Sequence, residues 1–230
     1  MLDLQAQWAR RLRFPLQSRL KPLALDSSMF ESRHVSRHFD KRRRQSRRKT
    51  QKGRNSRGKC GKKAGDRRRS KVVKRLPKLS LAVASGCHFI LAAKATTGAG
   101  ADQPFFQPLL SDARRRTRVR VVVADAGYDS EPNHRIARED MRVRSIIPPY
   151  AGRPTEKLPS EPHRRNMRRR FDRGADQVLY GQRWQSETVN SMIKRNLGSA
   201  LRARTARRRS YELLLRALTH NLMILSYAED

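Results

Sequence analysis

Val119-Arg120-Val121-Val122-Val123-Ala124-Asp125-Ala126-Gly127-Tyr128-Asp129-Ser130-Glu131-Pro132 is the stretch on which the fold reading turns. The β-branched run from Val119 to Val123 predicts a buried strand. Asp125 stands at its carboxyl end. Ser130-Glu131-Pro132 predicts a helix start, with an N-cap hydroxyl followed by an acid and a proline in the first turn. That helix reaches about Met141. Val143 to Ile147 then reads as another strand, stopped by Pro148-Pro149.

Working outward, Leu23-Ala24-Leu25 is a short apolar strand ending at Asp26. Leu79, Leu81 and Val83 alternate with small or polar residues, Ser85-Gly86 makes a turn, and Phe89-Ile90-Leu91 completes a hairpin. Gln103 to Arg114 carries Phe105, Phe106, Leu109 and Leu110 at helical spacing. Asp176 to about Leu197 reads as one helix, and Ser210 to Tyr227 as a strongly apolar one. Early strands followed by alternating β and α elements predict an α/β fold, one mixed sheet flanked by helices.

The chain has 230 residues with 54 Lys and Arg against 20 Asp and Glu, a net charge of +34. Such a charge calls for a polyanion, and nucleic acid is the first choice because every neutralised phosphate releases counterions. The charge is concentrated: Arg33 to Arg75 holds 21 basic and two acidic residues. That tract cannot bury enough apolar surface to offset its ordering entropy, so about 41–70 reads as a basic disordered loop. A second basic stretch, about 151–173, reads as a linker or insertion. Cys60 and Cys87 lack the spacing of a zinc site and read as free thiols in a reducing cytosol. The most apolar run, Leu79 to Ala93, is too short to span a membrane. His34 and His38 suit phosphate contact or solvation better than metal ligation.

In so basic a chain the acids are informative. If the strands ending at Asp26 and Asp125 are neighbours, two carboxylates converge where open α/β sheets place their sites. A hard divalent cation such as Mg²⁺ relieves their repulsion. The alternative is that each caps a following turn or helix. The helix after the second basic stretch carries Tyr180, Arg183, Glu187 and Lys194. At about 100° per residue they fall within one face about 60° wide, with Val189, Met192 and Ile193 opposite. That strip suits a phosphate track with one metal-binding carboxylate, against the plainer reading of a solvated charged face. Trp184, about 100° from Arg183 around the helix, is a candidate for stacking on an unpaired base, or else a core tryptophan.

The pattern Tyr180-x2-Arg183-x3-Glu187-x6-Lys194 resembles the Y-R-E-K signature of bacterial insertion-sequence transposases of the DDE type. Val122-Val123-Ala124-Asp125-Ala126-Gly127-Tyr128 and Leu23-Ala24-Leu25-Asp26-Ser27-Ser28 are similar to the segments around that family's two aspartates. His220-Asn221-Leu222 and Gly100-Ala101-Asp102 are similar to family segments as well. The resemblance covers about Lys21 to Leu225.

The resemblance implies an RNase H-like fold, with residues 21–230 as catalytic domain. It implies Asp26, Asp125 and Glu187 as a triad holding two divalent ions, Mg²⁺ with Mn²⁺ as substitute. Tyr180, Arg183 and Lys194 would contact double-stranded DNA at element ends, in a homodimer on DNA near the bacterial nucleoid in the cytoplasm. Asp129 and Glu131 suit helix capping instead. Only 25 residues precede Asp26, so residues 1–20 read as an N-terminal remnant and the copy as truncated or split. Two other readings stand beside it: a non-catalytic basic nucleic-acid-binding protein, and an RNase H-like nuclease without strand transfer.

Overall fold

A computed structural model describes residues 1–16, 21–32, 76–98, 100–149 and 158–227. The loop expected at 41–70, with Cys60, lies outside the described residues, as do His34 and His38. The elements run α1 (Leu2–Arg11), β1 (Leu23–Met29), β2 (Glu31–Ser32), β3 (Lys78–Ala84), β4 (Phe89–Thr96), α2 (Gln103–Arg116) and β5 (Val121–Ala124). They continue through α3 (Glu131–Arg135), β6 (Arg144–Ile146), α4 (Pro162–Asp172), α5 (Gln177–Gly181), α6 (Trp184–Leu197), β7 (Ala200–Leu201) and α7 (Ala206–Ser226).

Five strands form one sheet in the order β4-β3-β1-β5-β6. β1 is antiparallel to β3 and parallel to β5, and β5 is parallel to β6. This is a mixed sheet flanked by helices, compatible with the RNase H-like expectation. The strands form where β-branched and small apolar residues can be covered on both sides. Leu23, Leu25, Ala82, Ala84, Val122 and Ala124 pack with Phe106, Leu109 and Leu110 of α2 and with Ala6 and Ala9 of α1. Leu79, Leu81, Val83 and Ile90 pack with Val189 and Ile193 of α6 and Leu213 and Ala217 of α7. A smaller cluster joins Ala24, Val123 and Ile146 to Phe171, Leu179 and Tyr180.

Helix α7 also covers the sheet edge. Asn221 accepts from Ile90 N at 2.8 Å and donates to Ile90 O at 2.9 Å, and His220 Nε2 donates to the His88 carbonyl at 3.0 Å. These bonds satisfy backbone groups that an edge strand leaves open. Gly86, at φ +96°, supplies the left-handed turn between β3 and β4. Among the described residues no helix is long and apolar enough to cross a membrane.

Three elements differ from the sequence reading. Strand β1 does not end at Asp26 but runs on through Ser27 and Ser28 to Met29, where it pairs with Lys78 of β3. The basic stretch read as an insertion contains helix α4. Arginine is a good helix former, Met167 is fully buried, and the compensating acids lie elsewhere in the chain. Glu131 accepts from the His163 and Arg164 amides at 2.9 Å each, and Asp129 accepts from Arg164 Nη2 at 2.8 Å. Glu131 therefore caps α4 as well as opening α3. The helix read over 176–197 is broken into α5 and α6. Across residues 179–186 the amides of Gln182, Arg183, Gln185 and Ser186 bond three residues back rather than four, a tightened turn after the weak helix former Gly181.

Candidate active site

The parallel β1–β5 ladder ends at the Leu25–Ala124 pair, so Asp26 and Asp125 come next along it, with strands about 5 Å apart. Asp125 follows the end of β5, whereas Asp26 lies midway along β1, which continues to Met29 against β3. Asp26 lies opposite Leu81 in the β1–β3 pair and so shares the sheet face covered by α6. Asp125 is exposed and accepts from its neighbour Ala126 N at 2.7 Å, capping the short turn Ala126–Tyr128. The capping reading therefore holds for Asp125 alongside any other role.

Helix α6 lies across the end of the β1–β5 ladder. Asn190 Nδ2 donates to Asp26 Oδ2 at 3.0 Å, and Glu187 stands about one turn earlier on α6. The Gly86 amide donates to Gln185 Oε1, which ties the first turn of α6 to the β3–β4 hairpin. The break after α5 leaves Tyr180 beside Arg183, whose Cζ is 5.9 Å from the ring centroid. Arg183 Nη2 lies 2.6 Å from Glu187 Oε1. Phe171 meets the Tyr180 ring edge-on at 5.3 Å and backs it.

The electrostatics join these groups. Burial raises the Asp26 pKa above its usual value, opposed by the Ser27 amide, Asn190 and Arg183, while the Glu187 charge raises it further. Burial also raises the Tyr180 hydroxyl, with the Asp125 and Glu187 charges adding to it against Arg183. Arg183 is half-buried, which works against its charge, but Tyr180, Glu187 and Asp125 outweigh that and raise its pKa. One guanidinium thus lies within the fields of all three acids.

The donor chemistry fits a hard divalent cation: carboxylates on two adjacent strands, one of them burdened by burial. Glu187 is turned to Arg183, and among the described residues no group of three His, Cys, Asp or Glu side chains is arranged to hold a metal ion. Asp26, Asp125, Glu187, Tyr180 and Arg183 are nonetheless gathered at one end of the sheet. Lys194 stands apart, its Nζ 5.2 Å from the Phe30 ring centroid farther along α6. Trp184 is not a core residue: it is 53% exposed, and its ring meets that of His88 in an edge arrangement at 6.4 Å between centroids. The four residues read as one helical strip therefore span two helices and a turn.

Asn190 is the residue that sequence reasoning missed. It is 5% exposed although polar. Its signal was available, since three residues after Glu187 puts it about 60° around the same helix.

A family model described as Transposase DDE domain matches residues 17–222. No curated protein matches the chain.

Proposed function

The chain belongs to the transposase DDE domain family, and from that premise we propose that it cuts DNA strands at insertion-sequence ends and joins them to target DNA, using Asp26, Asp125 and Glu187. The observation that carries this reading is the β1–β5 register, which sets Asp26 beside Asp125 on the flank of the helix bearing Glu187. A nucleic-acid-cleaving class follows from the family; the residue roles and the metal are our assignment.

In this reading Asp26 and Asp125 hold the divalent ions, Mg²⁺ or Mn²⁺, and Glu187 completes the set when Arg183 releases it. When bound, such ions polarise the phosphoryl oxygens and make a water or hydroxyl a better nucleophile. The chain's own residues do the positioning. Arg183, freed from Glu187, and Lys194 hold backbone phosphates, and the Tyr180 hydroxyl donates to another. Trp184 stacks on an unpaired base beside the cut. Water breaks the phosphodiester and leaves a 3′-hydroxyl, which then attacks a target phosphodiester and displaces its 3′ oxygen. The protein contributes alignment and charge rather than a covalent intermediate.

The test is Mg²⁺-dependent nicking of a terminal inverted repeat by wild type and by Glu187→Ala. Loss of nicking with duplex affinity retained is the expected result. Equal activity in both removes the triad assignment, and no nicking by either returns the chain to the non-catalytic DNA-binding reading.

A further inference from the structure

Resting on that reading of Asp26 and Asp125, we propose that Asp102 is a positioning residue that fixes the spacing of the two carboxylates from the opposite face of the sheet, anchored by Lys78 and Ser27. Asp102 immediately precedes helix α2, where an aspartate ordinarily caps free backbone amides with its side chain. It makes no such cap. Its Oδ1 instead accepts from Ser27 Oγ at 2.6 Å and lies 2.5 Å from Lys78 Nζ. Lys78 Nζ also donates to the Gly100 carbonyl at 3.1 Å.

The other side of the carboxylate lies against the turn after β5. A Cβ placed on Gly127 would meet Asp102 Oδ2 at 3.2 Å, so a side chain there would crowd the carboxylate. Ser27 directly follows Asp26, and Gly127 is two residues past Asp125. One carboxylate therefore bonds the residue after Asp26 and lies close against the glycine two residues past Asp125.

Consecutive strand residues point to opposite faces, so the Ser27 contact lies on the face away from the Asp26 side chain. Asp102 acts through the backbone and touches neither substrate nor ion. The Lys78 side chain is only 6% exposed. A buried ion pair of this kind adds little stability over apolar residues of the same size, so its contribution lies in where it holds β1 and the Ala126–Tyr128 turn.

The test measures Mn²⁺ binding to the whole chain by electron paramagnetic resonance, beside affinity for a terminal-repeat duplex and thermal unfolding. Wild type and Asp26→Asn come first. Absence of Mn²⁺ binding by wild type, or equal binding by both, overturns the metal-site reading and this proposal with it. With that control met, Ser27→Ala and the double variant Lys78→Met/Asp102→Leu are compared. The double variant removes both charges of the pair together and leaves neither orphaned, while Ser27→Ala leaves the ion pair intact and answers the question if the double variant does not fold. The expected result is Mn²⁺ affinity weakened about ten- to a hundredfold, unchanged duplex affinity, and recovery in Ser27→Thr. Wild-type Mn²⁺ affinity in a folded double variant, or in Ser27→Ala, overturns the positioning role and leaves the metal-site reading standing.

Discussion

The Asn190 carboxamide joins helix α6 to strand β1, its Nδ2 donating to Asp26 Oδ2 at 3.0 Å. Its Oδ1 is buried with no hydrogen-bond partner among the described residues. The bond ties α6 to β1 about one turn from Glu187, beside the packing of Val189 and Ile193 on the same sheet face. Asn190→Leu removes both the bond and the unsatisfied oxygen. The stability change should be small, about 1 kcal/mol, because losing a charge-assisted bond is offset by losing a buried orphan. Nicking should fall about ten- to a hundredfold, as expected when a group that orients a metal ligand is removed. Urea unfolding and nicking of the same preparation separate the two. A nicking rate at the wild-type level would show that Asn190 has no part in aligning Asp26.

Arg183 is placed to exchange one anion for another. It pairs with Glu187 at 2.6 Å while feeling the charge of Asp125. If DNA phosphate takes that guanidinium, duplex binding by Arg183→Gln should lose about one unit from the slope of log affinity against log salt. Arg183→Lys keeps the charge without the planar fork and should keep the slope while weakening affinity. Binding isotherms at several salt concentrations check this, and an unchanged slope in Arg183→Gln removes Arg183 from the phosphate contacts.

Asp176 ties three elements together beneath Tyr180. It accepts from Arg170 at 2.7 and 2.9 Å, and from Arg144 on β6. The Arg170 hydrogen bond lowers its pKa first, against burial, and both guanidinium charges lower it further. A carboxylate with a depressed folded pKa contributes stability that is fully present above its unfolded pKa, near 3.9, and is lost as pH falls through the folded value. Asp176→Asn should therefore destabilise at pH 7. Removing one partner of a fully buried pair costs about 3–5 kcal/mol, but both arginines are more than a third exposed. Solvent screening reduces the expectation to about 1–2 kcal/mol. The gap between wild type and variant should close as pH drops below about 4, and a gap independent of pH contradicts the ion-pair origin.

The sheet was legible in the sequence because its strands are short apolar runs bounded by turns, and a strand buried on both faces has no other composition available. Asp125 was legible as the acid that ends its strand, but Asp26 was misplaced: β1 runs on to Met29 because Ser27 and Ser28 are small enough to continue the ladder with β3, which an apolar-run reading does not see. The Arg-rich helix α4 was not legible, since its stability rests on Met167 burial and on Glu131 and Asp129, acids about thirty residues earlier that composition cannot assign to it. The α5–α6 break was hidden too, because the periodicity of Tyr180, Arg183 and Glu187 survives a local change from four-residue to three-residue bonding. Asp102 was visible only as part of a familiar step. Its partners Ser27 and Lys78 lie in other strands, a relation that no local pattern encodes.

Trp184 is a large aromatic ring left in solvent at the first turn of α6, next to Arg183. Removing it should cost little stability, since half of its surface is already hydrated and exposed substitutions usually shift stability by about 0.5 kcal/mol or less. If it stacks on an unpaired base, Trp184→Ala should lose about 1–3 kcal/mol of affinity for a terminal repeat carrying an unpaired base at the cut. Affinity for the fully paired duplex should not change. Fluorescence gives an independent readout once the other tryptophan, the half-exposed Trp8 of α1, is replaced by Phe. Stacking should then quench Trp184 with the unpaired end and not with the duplex. Equal loss of affinity on both probes would make Trp184 a general surface contact rather than a stacking platform.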